Sequence, residues 1–230
     1  MTTQTVHWQP LPDVTALSQA AVAVVLDTAR AAIAARGAFC IVLAGGTTPE
    51  AIYAQLAARQ SDWGKWQVYF SDERCLPAGD AQRNDSMARR AWLDRVPIPP
   101  LNVHPIPAEL GPETAARRYA ETLAGIGDFD LVLLGLGEDG HTASLFPGQP
   151  LGASSDSAAV LAVHTAPKPP AARVSLSAAR LSRARRVLFL VTGAGKRAAL
   201  AAWRQGQELP ARHIVPPGGV EVLFDAAAGH

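Results

Sequence analysis

The chain reads as an α/β protein with a mostly parallel sheet covered by helices on both faces, in a single domain over residues 1–230. Two observations lead there. Apolar runs of four or five residues, too short for ordinary helices, alternate with longer stretches whose apolar residues recur at helical spacing. The run 131–134 is apolar throughout, as expected of a strand buried on both faces. The Pro/Gly-rich stretches at 97–107, 147–152, 167–170 and 216–219 are short and fall where loops are needed, so none marks a domain seam.

Residues 13–36 carry apolar side chains at helical spacing, and Gly37 suits the stop after that helix. A strand at 39–43, a helix at 49–59 and a strand at 67–70 follow. Next comes a helix at 84–95, capped by Asn84 or Asp85. A short strand at 103–106 and a helix at 113–123 lead to the strand at 130–134. Beyond it the pattern gives strands at 159–163 and 174–176, a short helix at 178–183, a strand at 187–191, a helix at 196–203 and a last strand at 220–224. Strands alternating with helices imply parallel pairing, since each crossover needs a covering helix.

Composition removes several function classes. A net charge of +1, with both signs interspersed, gives no case for a nucleic-acid or membrane surface. The basic cluster 180–186 reads as a solvated helix face. Two cysteines, Cys40 and Cys75, make no disulfide framework in a chain of 230 residues, and Cys40 falls in an apolar strand as a small core residue. No basic region precedes an apolar run near the N-terminus, and 20–26 is broken by Asp27 and Arg30, so a cytoplasmic protein is expected.

The chemistry concentrates where the strand at 130–134 runs into Gly135, Gly137 and Gly140, with Asp139 and His141 between and beyond them. Glycines let the backbone turn sharply there and approach a ligand closely. The carboxyl edge of an open parallel sheet is where such folds bind small molecules. Gly135 to Gly140 also satisfies G-x-G-x-x-G, but that fingerprint needs a helix starting on the third glycine and an acid about 20 residues on. Pro147 and Gly148 stop any helix within two turns, and Asp156 alone stands as an acid, so the nucleotide reading is weak.

Three more loops fall at the same edge. Gly45, Gly46, Thr47 and Thr48 join the first predicted strand to its helix, with Pro49 suited to the first helical turn. Such a loop holds phosphate on its free N–H groups, or is a glycine turn with a threonine cap and no ligand; the segment alone does not choose. Asp72, Glu73 and Arg74 follow Ser71 at the next strand end, as a solvated turn or as groups meeting a polar substrate. Arg173 opens a strand after Lys168-Pro169-Pro170, and Lys196 opens a helix after Gly195. Each alone reads as a surface cation; together with the Gly-Thr loop they make a phosphate clamp, arginine offering a fork and lysine a point charge.

These motifs, in this order over residues 10–225, resemble the 6-phosphogluconolactonase family: Leu43 to Pro49, Ser71 to Arg74, Asn84, Gly135 to Pro147, Arg173 to Ser177, and Gly195-Lys196. The run from Asp139 to Pro147 is the specific part. The Gly-Gly-Thr loop is shared with the related glucosamine-6-phosphate deaminases. Arg83 stands before Asn84 where the family usually has serine. The resemblance implies a Rossmann-like fold and hydrolysis of 6-phosphoglucono-δ-lactone in the pentose phosphate pathway, with no metal and no organic cofactor.

A lactone is already an activated acyl group, so an enzyme need only place water, take its proton and steady the oxyanion. His141 is the expected general base, because histidine changes charge near neutral pH. Asp139 is expected to orient or neutralise it, and Arg74 to steady the oxyanion. Gly45, Gly46, Thr47, Thr48, Asp72, Asn84, Arg173 and Lys196 are the expected substrate and phosphate contacts. A deaminase would carry an Asn-Glu-Pro run where Ser144-Leu145-Phe146-Pro147 stands. A sugar-phosphate sensor would add a DNA-binding head, and no helix-turn-helix segment precedes Asp13. His7, His104, His164, His213 and His230 show no metal-ligand spacing. The expected partner is the small-molecule sugar-phosphate lactone, with no nucleic acid and no membrane, and the protein a monomer or homodimer.

Overall fold

A computed structural model describes residues 4–229. Six strands form one parallel sheet: β1 (Val6–Leu11), β2 (Phe39–Leu43), β3 (Trp66–Phe70), β5 (Leu131–Gly135), β8 (Val187–Val191) and β9 (Val220–Asp225), in the order β1-β9-β8-β5-β2-β3. From β2 the chain moves outward to β3, whereas from β5 it runs the other way through β8 to β9. The order therefore reverses between β2 and β5, and a crevice opens outside their carboxyl ends. Every residue of β8 is buried, as are Leu131 to Leu134 of β5. Because successive side chains point to opposite faces, unbroken burial requires cover on both.

Three further strands, β4 (Asp72–Arg74), β6 (Val160–Val163) and β7 (Arg173–Leu176), form a separate antiparallel sheet in the order β4-β7-β6. Ser71 joins the two sheets. Its N–H donates to the Leu43 carbonyl of β2, and its own carbonyl accepts from the Leu176 N–H of β7.

The helices are α1 (Val14–Arg36), α2 (Thr47–Leu56), α3 (Asn84–Ala91), α4 (Pro112–Thr122), α5 (Ala178–Ser182), α6 (Arg197–Arg204) and α7 (Ala226–Gly229). In α1 the Asp13 carboxylate accepts from the Ala16 N–H, and Gly37 ends the helix at φ +79°, a conformation costly for other residues. By length and composition α1 could cross a membrane. In the fold it buries Leu17, Ala21, Val22, Val25, Ala29 and Ala32 in the core and touches β2 and β9, so it is a core helix of the domain.

Several expectations are corrected. Residues 103–106 form no strand; Val103 makes a single bridge to Val68. The helix expected over 84–95 stops at Ala91 and gives way to a 3-10 turn at Leu93–Arg95. Neither Asn84 nor Asp85 holds the cap position, which falls on Arg83, whose side chain caps no backbone N–H of the helix. The 49–59 helix starts two residues earlier and ends at Leu56. In the basic cluster, Arg180 is buried, with its guanidinium 3.8 Å from the Phe129 ring centroid and bonded to the carbonyls of Ile126, Gly127 and Arg183. Cys40, expected as a small core residue, is half-buried and packs against the core.

Candidate active site

At the carboxyl ends of β2 and β3, buried tyrosines take over from the sheet. The Tyr53 hydroxyl accepts from the Ala44 N–H and donates to the Ala44 carbonyl, and the Tyr119 hydroxyl accepts from the Phe70 N–H. Backbone groups released by the end of β-pairing thus stay satisfied. The loops after β2 and β5 then face each other across a cleft of about 230 Å³, a volume suited to one sugar unit. Gly45, Gly46, Asp72, Arg74, Asn84, His141, Arg173 and Lys196 all line it. Thr47, Thr48 and Asp139 do not. Thr47 and Thr48 form the first turn of α2 behind the glycines, and the Thr48 hydroxyl is bonded to that of Thr192 at 2.6 Å.

The loop after β5 is a tight coil, with no helix following Gly140, which removes the structural condition for a dinucleotide fingerprint. Gly140 turns at φ +83° and donates to the Gly137 carbonyl; the Gly137 N–H donates to the His141 carbonyl at 2.7 Å. The imidazole folds back over Gly137, where a Cβ would lie 2.0 Å from Nδ1 of His141. Only glycine fits there. Nδ1 pairs with Oδ1 of Asp139 at 2.5 Å, and the ring lies 4.9 Å from Phe146. That pairing leaves Nε2 without a hydrogen-bond partner among the described residues. Burial pushes the Asp139 carboxyl up, but bonds from the His141 ring and backbone N–H outweigh it and hold the group below its ordinary value.

The opposite wall is the small sheet. Asp72 pairs with Ser175 and Arg74 with Arg173 across β4 and β7. Alternation puts Asp72 and Arg74 on the cleft face and sends Glu73 to the other. Asp72 is buried. Its carboxylate accepts from the hydroxyls of Ser144 (2.7 Å) and Ser71 (3.2 Å) and from Nδ2 of Asn84 (3.2 Å). The Ser144 bond ties β4 to the loop that carries His141. Asn84 presses on the first glycine loop so closely that a Cβ at Gly45 would sit 2.0 Å from its Oδ1. Arg83 turns away from the cleft, with Nε and Nη1 bound to Asp85 (2.9 Å) and Glu109 (2.7 Å), so the departure from serine leaves Asn84 in the cleft.

The cations differ in how they are held. Arg74 donates from Nη1 to the Gln82 carbonyl, while its Nε is buried with no partner among the described residues. A buried donor left unpaired costs free energy, and such groups need an explanation. Arg173 gives Nε to the Pro170 carbonyl and Nη2 to the Lys168 carbonyl, so part of its expected fork is committed to the 168–170 loop. Desolvation lowers its pKa, opposed by Asp72. Lys168, Glu138 and Ser71 also line the cleft and were not expected as site residues. Lys168 precedes Pro169-Pro170 and the Arg173-led strand, a signal visible in the sequence but assigned to Arg173 alone. Among the described residues no three His, Cys, Asp or Glu side chains gather as a metal site.

The family profile described as glucosamine-6-phosphate isomerases/6-phosphogluconolactonase matches residues 12–223. The 6-phosphogluconolactonase of Synechocystis sp. is 42% identical over 211 residues, 86% of each chain. That of Nostoc sp. is 38% identical over 232 residues, 95% of each. Among solved structures, 6-phosphogluconolactonase from Thermotoga maritima superposes with a TM-score of 0.87 at 28% identity, covering 96% of this chain and 99% of that one.

Proposed function

The chain belongs to the glucosamine-6-phosphate isomerase/6-phosphogluconolactonase family, and on that premise we propose that it hydrolyses 6-phospho-D-glucono-1,5-lactone to 6-phospho-D-gluconate, with His141 as general base and no metal. It is a lactone hydrolase of the pentose phosphate pathway. The observation that carries the mechanism is the Asp139–His141 pair at the strand-order reversal, in a cleft that Arg74 also lines.

With Nδ1 held by Asp139, Nε2 of His141 takes a proton from water as the oxygen adds to the lactone carbonyl carbon. The carbonyl oxygen gains the electron pair and is met by the Arg74 guanidinium. The tetrahedral centre re-forms its C=O, the bond to the ring oxygen breaks, and the imidazolium returns its proton to that oxygen. Asp139 offsets the imidazolium charge throughout. The phosphate sits on the amides of the Gly45 to Thr48 loop, at the N-terminus of α2, between Arg173 and Lys196. Asp72 and Asn84 contact the sugar. The enzyme works in the cytoplasm as a monomer or homodimer.

The deciding assay follows lactone hydrolysis above its spontaneous rate, with and without the 6-phosphate on the substrate. Enzymatic acceleration that depends on the phosphate supports the assignment; no acceleration over background overturns it.

A further inference from the structure

Glu73 is fully buried and takes no part in lining the cleft, yet it lies between two residues that do. Its carboxylate accepts three backbone N–H bonds. Oε1 takes those of Arg74 and Asn84, both at 2.8 Å, and Oε2 takes that of Asp85 at 2.9 Å. Asn84 and Asp85 are the first two residues of α3, whose N–H groups have no acceptor within the helix. A carboxylate at that end also meets the favourable end of the helix dipole. One side chain therefore clamps β4 to the start of α3 across the 75–83 loop.

An ion pair with Arg83 does not explain this placement. The closest approach is 3.9 Å, and Arg83 is satisfied by Asp85, Glu109 and the carbonyls of Leu76 and Ile106. Burying a carboxylate is costly unless bonds replace its water, and here the backbone amides of two cleft residues supply them. Asn84 in turn donates to the Asp72 carbonyl and carboxylate.

We propose that Glu73 is a positioning residue for the reaction, fixing Arg74, Asn84 and through it Asp72 in the geometry that the transition state needs. The proposal rests on the lactonase reading, so wild-type hydrolysis is measured first; its absence overturns that reading and the proposal with it. In an active enzyme, Glu73→Gln places an amide NH₂ against a backbone N–H and breaks the clamp. A folded Glu73→Gln protein is expected to lose about ten-fold or more in kcat, with KM changed less than about two-fold, because misplacement acts on the transition state. A kcat within two-fold of wild type, counted per folded molecule, overturns the positioning role. Hydrogen exchange on the wild-type chain covers a variant that fails to fold. The Asn84 and Asp85 amides are expected to exchange as slowly as the core of α3, and exchange as fast as the 76–82 loop overturns the clamp.

Discussion

The two sheets meet at Ser71 and divide the work between them. The parallel sheet is nearly all Val, Leu, Ile and Phe in its central strands and contributes function only where those strands end. The small antiparallel sheet carries Asp72, Glu73, Arg74, Arg173 and Ser175 within its strands. The difference shows that position and polarity come from separate structures. A rigid apolar scaffold fixes where the His141 loop begins, and short charged strands, buried at a cost, face it with preset charges.

The sharpest test of this division is His141→Ala, which removes the proposed base from the scaffold side. Loss of about 10²-fold to 10⁴-fold in kcat per folded molecule is expected in steady-state assays. Leu133→Ala strikes the scaffold itself at a site with no exposure, and should cost about 2–5 kcal/mol in denaturant unfolding while leaving kcat per folded molecule intact. If Leu133→Ala instead lowers kcat in the folded fraction, the scaffold is no passive support. Arg74→Ala removes the small sheet's unpaired donor and should lower kcat on the order of 10²-fold. A change in KM alone would reduce that sheet to a binding wall.

The division also explains what the sequence discloses. The parallel strands are legible because burial on both faces leaves an apolar run with nothing to mask it, as at 131–134. The strand β4 is invisible to that rule. Three consecutive charged residues read as a solvated turn, and only pairing with β7, a hundred residues away, makes them a strand. The 103–106 segment fails the opposite way: its apolar residues fill the core beside β3 without continuing the ladder. In the site, Asp139 and His141 are legible because a tight glycine loop makes near neighbours contact each other. Glu73 is not, since its bonds are to backbone groups brought in by the fold.

The proposed clamp on phosphate separates two kinds of cation. Lys196→Ala removes a point charge from the helix side and should cost about 1.5–3 kcal/mol, read mainly as a rise in KM for the phosphorylated lactone and little for the unphosphorylated one. Arg173→Ala also frees the carbonyls of Lys168 and Pro170, so it should impair both substrates, the phosphorylated one more. Equal losses for both substrates with Lys196→Ala would show that it does not read phosphate.

The smallest expected effect is a slope of stability with pH, and it comes from the charged sheet alone. Burial pushes the Glu73 carboxyl up to about 7, against the pull of its three amide bonds. An acid whose pKa is raised in the folded state holds a proton there that the unfolded chain has released, so the linkage slope is negative between the two values. Its contribution to stability is fully present below the ordinary glutamate range, around 4.3, and is lost as pH rises through about 7. Asp139 works in the opposite sense, its depressed pKa losing stability as pH falls, so the wild-type curve alone mixes the two. Subtracting the melting temperatures of Glu73→Gln from those of wild type cancels Asp139. The difference should fall steadily from about pH 4.5 to 7 and then level off; a difference that stays level over that range would mean the amide bonds prevail and Glu73 is charged throughout.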